Sequence, residues 1–223
     1  MQGKGAGYAG RMKNHGFLKK FYPDEWLDSA YHINFASWYE KGYRGVTFDI
    51  DNTLVPHGAP ADRKAVDLFR QLHEMGFRTC LISNNRRSRV APFAAEVESD
   101  YLCMANKPSV KGYCKACEII QVPADKTIFI GDQLFTDVWG ARRAGMYCIL
   151  VNPIDPKEEI QIVLKRFLEK PVLKAYARDR GRDGGQKNVE NQVKIIYNKS
   201  RSIAKNDTQV NKEVTSHGRC SSW

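Results

Sequence analysis

Between residues 45 and 170, short runs of β-branched and aromatic residues alternate with longer stretches of helical periodicity, and this alternation constrains the fold more than any other feature. The predicted strands are 46–50, 77–82, 127–130 and 147–151. Strands that alternate with helices imply right-handed crossovers and a parallel sheet. We therefore predict an α/β fold, a doubly wound parallel sheet with helices on both faces. In such sheets, ligands bind beyond the carboxyl ends of the strands, where the strand order reverses.

Two aspartates lie at the end of the first predicted strand. Asp49 and Asp51 are one residue apart, so in an extended chain their side chains point to the same side. Two like charges so close together are costly unless a proton or a cation separates them. Carboxylate oxygens are the ligands that Mg²⁺ favours, so the pair is consistent with a divalent-metal site. A pair of solvated loop aspartates would give the same short pattern.

The second predicted strand ends in three small polar residues, Ser83, Asn84 and Asn85. A hydroxyl, two amides and the backbone N–H groups that open a helix form a natural anion site, so these residues are predicted to bind substrate. They can also satisfy free amides at the start of the helix, and both roles are compatible. The arginines that follow, at 86, 87 and 89, are expected to form a solvated helix face, with attraction to phosphate as the alternative.

A lysine and two further aspartates complete the set. Lys107 precedes a proline and so does not easily lie within a helix, which leaves its cation available to a phosphate. Asp132 follows the strand 127–130 and could complete a metal site. Asp137 could ligate the metal or pair with Lys107, or it could favour a helix dipole in the first turn. Together these strand-end groups indicate Mg²⁺-assisted phosphoryl transfer.

The net charge of +10 lies at the two ends of the chain. Residues 1–22 carry five basic and no acidic side chains, and residues 171–223 carry eleven basic and five acidic ones, so the middle is close to neutral. A nucleic-acid-binding domain is therefore not favoured, although basic ends could meet an anionic lipid, RNA or another acidic partner. We expect a flexible N-terminus at 1–16, a folded domain at 17–170 and a basic, disordered tail at 171–223.

Aromatic and basic residues are interleaved just before the first predicted strand, in FLKKFYPDEW from Phe17 to Trp26. Such a segment could lie on a membrane interface, or it could pack on the domain as an N-terminal arm. The chain has no run of about eighteen apolar residues, which argues against a transmembrane helix. No secretory leader is recognisable and no disulfide framework is implied by the cysteines, so a reducing cytoplasm is expected, with peripheral membrane binding as an option.

The motifs DIDNT, SNN and GDQLFTD, each at the end of a predicted strand, together with NKP between the last two, resemble the haloacid dehalogenase (HAD) superfamily of phosphatases over about residues 45–152. The resemblance implies that Asp49 is the nucleophile and forms an aspartyl-phosphate. Asp51 would be the general acid for the leaving group and then the base for water. Ser83 would hydrogen-bond the transferring phosphoryl group, and Lys107 would neutralise its charge. The implied Mg²⁺ ligands are the Asp49 carboxylate, the Asp51 backbone carbonyl and Asp132, with Asp137 close by.

A longer similarity, over roughly residues 17–170, is to the YqeG-type phosphatases, which are related to phosphatidylglycerophosphate phosphatases. It is carried by LKKFYPDEWLDSAYHI, GYRGVTFDIDNTLV, LISNN, ANKPS and IGDQLFTDVWGARRAG. The intervals from Thr53 to Ser83 and from Ser83 to Lys107 are too short for a large cap domain, so a minimal cap and an open site are expected. An open site suits a bulky substrate or one presented at a membrane, such as a phospholipid.

Two other functions remain compatible with the sequence. One is a soluble phosphatase for sugar, nucleotide or protein phosphates. The other is an RNA- or ribosome-associated binding module on the same scaffold, because fold does not dictate function. The presence of Asp49, Asp51, Lys107 and Asp132 together favours an enzyme over a non-catalytic scaffold.

Overall fold

The computed structural model describes residues 16–155 and 160–182 of the 223-residue chain. Its strands are β1 (Glu25–Leu27), β2 (Gly45–Phe48), β3 (Arg78–Ile82), β4 (Asp100–Leu102), β5 (Thr127–Gly131) and β6 (Tyr147–Val151). Its α-helices are α1 (Phe35–Glu40), α2 (Arg63–Glu74), α3 (Arg87–Glu96), α4 (Val110–Ile120), α5 (Trp139–Arg143) and α6 (Ile160–Arg182). A π-helical segment, Leu134–Val138, leads into α5, and short 3₁₀ turns lie at Lys19–Phe21, Ala30–His32 and Ala124–Lys126.

The six strands form one sheet in the order β1-β6-β5-β2-β3-β4, and every pairing in it is parallel. From β2 the chain winds outward through β3 and β4, then crosses back to β5 on the other side of β2. The strand order therefore reverses between β2 and β5, which is where ligands bind in sheets of this kind. The predicted doubly wound α/β fold is confirmed.

Side chains of the strands alternate between two apolar layers, one on each face of the sheet. In β5, Ile128 and Ile130 belong to one layer and Phe129 to the other. Helices α2 and α3 cover the first layer, and α4, α5 and α6 cover the second. The burial of both faces explains why the central strands read as continuous apolar runs in the sequence.

The connections that follow β2 and β3 are short. Helix α2 lies between β2 and β3, and helix α3 lies between β3 and β4, with no inserted domain in either interval. The expectation of a minimal cap is therefore confirmed, and no separate domain covers the carboxyl edge of the sheet at these positions.

The aromatic segment before β2 packs on the domain. β1 adds an edge strand to β6, and the buried Trp26 donates from its indole N–H to Asn152 at 2.9 Å. Phe21 is also buried, whereas Phe17 is 62% exposed. Of the two roles left open for this segment, the packed arm describes most of it, and its first residues remain at the surface.

The last helix continues past the predicted domain boundary at residue 170, so the structure corrects that boundary. Val172, Leu173 and Tyr176 are buried in the second apolar layer, at helical spacing. Their stripe was hidden in the sequence because it is short and lies among the charged residues Lys170, Lys174, Arg178 and Asp179. Residues 1–15 and 183–223, on which the flexible N-terminus and most of the basic tail were predicted, lie outside the described residues. No helix in the described ranges is both long and apolar enough to cross a bilayer.

Two leucines of α6 test this packing by the same substitution. Leu173 is 5% exposed and Leu168 is 59% exposed. We expect Leu173→Ala to lower the free energy of unfolding by about 2–5 kcal/mol, because it removes buried apolar surface and leaves a cavity. Leu168→Ala should change it by no more than about 0.5 kcal/mol. Urea denaturation measures both, and equal small losses would contradict the packed helix.

Candidate active site

Three buried carboxylates meet at the reversal of strand order. Asp49 follows β2, and Asp132 follows its neighbour β5, while Asp137 lies in the π-helical segment just beyond. One carboxylate oxygen from each lies within 4.8 Å of the others. Asp49 is 7% exposed, Asp132 is 2% exposed and Asp137 is 1% exposed. Parallel pairing of β2 with β5 brings their carboxyl ends together, so the sheet itself assembles this group.

The ammonium group of Lys107 is bound between two of these carboxylates. Its Nζ lies 2.5 Å from Oδ1 of Asp49 and 2.7 Å from Oδ1 of Asp137. The backbone of Lys107 is in turn held by the Asn84 amide, whose Oδ1 accepts the Lys107 N–H at 2.6 Å and whose Nδ2 donates to its carbonyl at 3.2 Å. The lysine is thus positioned at both its main chain and its charged end.

Burial and charge act against each other on these groups. Burial raises the pKa of Asp49 to about 6, even though the neighbouring Lys107 favours the ionised form. Burial alone would lower the pKa of Lys107, but the carboxylates of Asp137 and Asp49 outweigh it and raise the pKa above its usual range. Lys107 is therefore a permanent cation in this site.

Neighbouring hydrogen-bond donors hold the carboxylates of Asp132 and Asp137 in place. The N–H of Gln133 donates to Oδ2 of Asp137 at 3.0 Å, and the hydroxyl of Thr53 donates to Asp132 at 3.4 Å. A Cβ at Gly131 would lie 2.7–2.8 Å from side-chain atoms of Asp137, closer than such atoms approach. Glycine is therefore needed at this strand end to let Asp137 pack against the backbone.

Asp51 lies in a different environment, although only one residue separates it from Asp49. Its carboxylate lies outside the group of three and accepts hydrogen bonds from Asn85 Nδ2 at 2.6 Å and from the Gly58 N–H at 2.8 Å. It also forms an ion pair with Arg89 at 2.9 Å. Three donors therefore fix the orientation of this carboxylate, which is only partly buried.

Six of the eight predicted site residues line one small cavity of about 180 Å³, whereas Asp132 and Asp137 are not among its lining residues. It is lined by Asp49, Asp51, Asn52, His57, Ser83, Asn84, Asn85, Lys107, Gln133 and Thr136. Ser83 is buried, and its hydroxyl oxygen accepts the N–H of Asn85 at 3.1 Å, which makes a local turn before α3 begins at Arg87. The side-chain amides of Asn84 and Asn85 bind Lys107 and Asp51, so they support the charged groups of the cavity.

The three buried carboxylates fit a divalent cation. Asp49, Asp132 and Asp137 lie close together, and the Lys107 ammonium pairs with two of them. Buried carboxylates so close together are costly unless positive charge balances them. Hard cations such as Mg²⁺ and Ca²⁺ prefer carboxylate oxygens, so the chemistry of the ligands suits them.

Sequence reasoning missed two of the residues that shape the site. The sequence analysis assigned Arg86, Arg87 and Arg89 to a solvated helix face. Arg86 and Arg87 are exposed, as expected, whereas Arg89 binds Asp51. Its position near the start of the helix that follows Ser83–Asn85 was the available signal. Glu169 on α6 is 2% exposed and accepts the Leu134 N–H at 2.7 Å, at the start of the π-helical segment. No local pattern in the sequence points to that contact.

Comparison with known proteins gives matches to a protein family, to named proteins and to solved structures. Residues 58–145 match the model of a family described as haloacid dehalogenase-like hydrolase. The Bacillus subtilis (strain 168) protein "Probable phosphatase YqeG" is 32% identical over 163 residues, which cover 72% of this chain and 95% of that protein. The Chlamydomonas reinhardtii protein "Phosphatidylglycerophosphate phosphatase 1, chloroplastic" is 27% identical over 149 residues, covering 62% of this chain and 55% of that protein.

Among solved structures, that of an uncharacterized protein from Corynebacterium glutamicum ATCC 13032 Kitasato matches with a TM-score of 0.44 and 20% sequence identity. The match covers 56% of this chain and 95% of that chain.

The contact from Glu169 predicts a measurable change in local stability. We expect Glu169→Ala to speed amide hydrogen exchange in the segment Leu134–Val138, because Leu134 loses its acceptor. Glu169→Gln keeps an oxygen at the same distance along the side chain and should retain most of the protection. Exchange of the β3 amides serves as the internal reference. Equal exchange of the segment in both variants and in the parent protein would show that the contact does not hold it.

Proposed function

Because this chain belongs to the haloacid dehalogenase-like hydrolases and is a phosphatase of the YqeG type, we propose that it hydrolyses phosphate monoesters through an aspartyl-phosphate on Asp49, with Mg²⁺ as cofactor. The observation that carries the proposal is that Asp49, Asp51 and Lys107 line one cavity at the reversal of strand order. A nucleophile, a proton donor and a fixed cation are the groups that a two-step phosphoryl transfer needs.

In the first step, a carboxylate oxygen of Asp49 attacks phosphorus and the bond from phosphorus to the ester oxygen breaks. Lys107, which contacts Asp49 in the structure, lies where it neutralises the charge of the phosphoryl oxygens. The Ser83 hydroxyl, which also lines the cavity, and the backbone N–H groups after β3 bind the same oxygens. Catalysis of this kind depends mainly on placement and electrostatic stabilisation.

Asp51 handles the proton in both steps. It donates a proton to the departing alkoxide, and it then accepts one from the water that attacks the phosphorus of the aspartyl-phosphate. That attack releases inorganic phosphate and regenerates the Asp49 carboxylate. The hydrogen bonds from Asn85 and Gly58 and the ion pair with Arg89 hold Asp51 in position for both transfers.

Asp49, Asp132 and the Asp51 backbone carbonyl are the proposed ligands of Mg²⁺, with Asp137 close by. Bound there, the cation supplies positive charge that offsets the carboxylates and the phosphoryl group as they approach. Asp137 also binds Lys107, so the same carboxylate links the metal region to the phosphate-binding lysine.

We further propose that the substrate is a phospholipid monoester such as phosphatidylglycerophosphate. Support comes from the Chlamydomonas relative, whose name specifies that activity, and from the shape of the site. A cavity of about 180 Å³ accepts the phosphoryl group and little more, so a diacyl chain remains outside it. The same small cavity also fits a soluble sugar or nucleotide phosphate, which is the second candidate substrate class.

The role of Asp49 is tested by Asp49→Asn. We expect hydrolysis of p-nitrophenyl phosphate in Mg²⁺ to fall to the background rate, because an amide cannot form the covalent intermediate. The matched control is Asp67→Asn, a partly exposed position on α2 whose side chain pairs with Arg63 and Arg70. Turnover by Asp49→Asn that equals the control would remove Asp49 as the nucleophile.

The metal requirement is tested in the parent protein. EDTA should stop turnover and added Mg²⁺ should restore it; activity that persists in EDTA would contradict the metal requirement.

The substrate class is tested by a panel scored by kcat/KM. We expect phosphatidylglycerophosphate in mixed micelles to exceed glycerol 3-phosphate, a sugar phosphate and a nucleoside monophosphate by at least about tenfold, because the lipid adds binding energy outside the cavity. Hydrolysis of p-nitrophenyl phosphate in the same micelles controls for effects of detergent. A soluble ester with the highest kcat/KM would favour the second substrate class.

A further inference from the structure

A cluster of aromatic and basic side chains lies beside the cavity, and phosphoryl transfer makes no use of it. We call it the aromatic–basic patch; its members are Phe17, Lys20, Phe21, Phe135, Trp139 and Arg143. The ring of Phe21 lies 6.0 Å from that of Phe17, 5.1 Å from that of Phe135 and 5.4 Å from that of Trp139, measured between centroids. The rings are therefore in continuous contact rather than scattered singly over the surface.

Basic groups cover the outer side of these rings. Lys20 Nζ lies 3.6 Å from the centroid of Phe17, and the Arg143 guanidinium lies 4.8 Å from that of Trp139. Phe17 is 62% exposed, and Lys20 and Arg143 are exposed, whereas Phe21 is buried and anchors the patch to the domain. An apolar body with cationic groups at its edge is the arrangement of side chains that lie in a bilayer interface.

The patch is joined to the cavity through the π-helical segment. Phe135 is directly followed by Thr136, which lines the cavity, and then by Asp137, which binds Lys107. Trp139 begins α5 immediately after the segment. A surface that contacts Phe135 and Trp139 therefore contacts the same segment that contributes Thr136 to the cavity lining.

Further exposed apolar side chains flank the same edge of the sheet. Of the five large apolar side chains that are exposed in the described part of the chain, Met104, Ile154 and Leu168 join Phe17 near this edge, and Met75 alone lies at the end of α2. The N–H of Met104 donates to the carbonyl of Asn85, and that of Ile154 to the carbonyl of Asn52. Both acceptor residues line the cavity, so exposed apolar groups occur on more than one side of it.

We propose that the aromatic–basic patch is a docking surface for an anionic lipid bilayer and holds the cavity at the level of the lipid headgroups. The docking of the patch on a bilayer is argued from the patch itself. The use of that docking in catalysis rests on the proposed phosphatase function. Charge complementarity supports the choice of partner, since residues 1–22 carry Lys4, Arg11, Lys13, Lys19 and Lys20 and no acidic residue. Single-stranded RNA could also stack on aromatic rings, but it would make no use of Met104, Ile154 or Leu168.

The test is cosedimentation with vesicles, performed on the full chain carrying Asp49→Asn so that binding is measured without turnover. The vesicles are phosphatidylcholine alone or phosphatidylcholine mixed with phosphatidylglycerol. We expect binding to the anionic vesicles, weakening as salt is added, and little binding to phosphatidylcholine alone. Lys20→Glu should weaken binding by about tenfold, because it removes one attraction and adds one repulsion. Phe17→Ser should weaken it through the loss of apolar contact.

Matched controls lie on α2, which covers the other face of the sheet. Lys64→Glu makes the same charge change at an exposed position, and Met75→Ser removes an exposed apolar side chain. Neither should alter vesicle binding. All four variants, placed in the parent background, should keep the parent rate on p-nitrophenyl phosphate, which also reports that they fold.

The outcomes separate the proposals. Absence of binding to anionic vesicles, or equal loss in the patch and control variants, would overturn the docking surface. Two other results would also overturn it. One is a dimer, detected by light scattering, that Phe17→Ser dissociates in a protein that does not bind vesicles. The other is RNA binding that Lys20→Glu abolishes, again in a protein that does not bind vesicles. Vesicle binding by a protein with no phosphatase activity would leave the docking surface intact and refute the proposed function.

Discussion

The contact of the Lys107 ammonium with Asp49 and Asp137 is the interaction around which the rest of the site is arranged. Removing charges from water costs several kcal/mol per ion, so a buried pair persists only when the surrounding structure fixes it. Asn84 holds the lysine backbone, and the Tyr113 hydroxyl donates to the carbonyl of Thr136 at 2.6 Å, beside Asp137. Tyr113 in turn packs so closely against Gly140 that a Cβ there would collide with its ring. Tyr113 and Gly140, which do not line the cavity, thus pack beside the segment that carries Asp137.

The two aspartates of the DIDNT motif show how one residue of separation can produce two chemical environments. Asp49 lies within the sheet's carboxyl edge, where burial raises its pKa and Lys107 opposes that effect. Asp51 lies outside the buried group and is held by an arginine, an amide and a backbone N–H. A turn that contains Asp51 begins at Ile50, whose carbonyl accepts the N–H of Leu54 at 2.9 Å. The proposed roles of nucleophile for Asp49 and proton carrier for Asp51 require this kind of difference.

The central strands and the residues at their ends could be predicted because apolar runs and turn-forming polar residues are local signals. The edge strands β1 and β4 could not, since each has only three residues and owes its conformation to the neighbouring strand. The contribution of α6 was missed for a related reason: Val172, Leu173 and Tyr176 are recognisable as core only once the sheet that they cover is known. Arg89 and Glu169 were missed because their partners are 38 and 35 residues away.

The segment that carries β1 is bound by groups from the far end of the described chain. Tyr22 donates from its hydroxyl to Asp179 at 3.0 Å, and Arg180 donates to the carbonyl of Asp24 at 2.5 Å. β1 itself pairs with β6, more than a hundred residues later. During synthesis from the N-terminus, the arm therefore lacks its strand partner until β6 has left the ribosome and its helix partner until α6 has. The aromatic residues of the arm are exposed throughout that interval, when a nascent chain is open to chaperones and to aggregation.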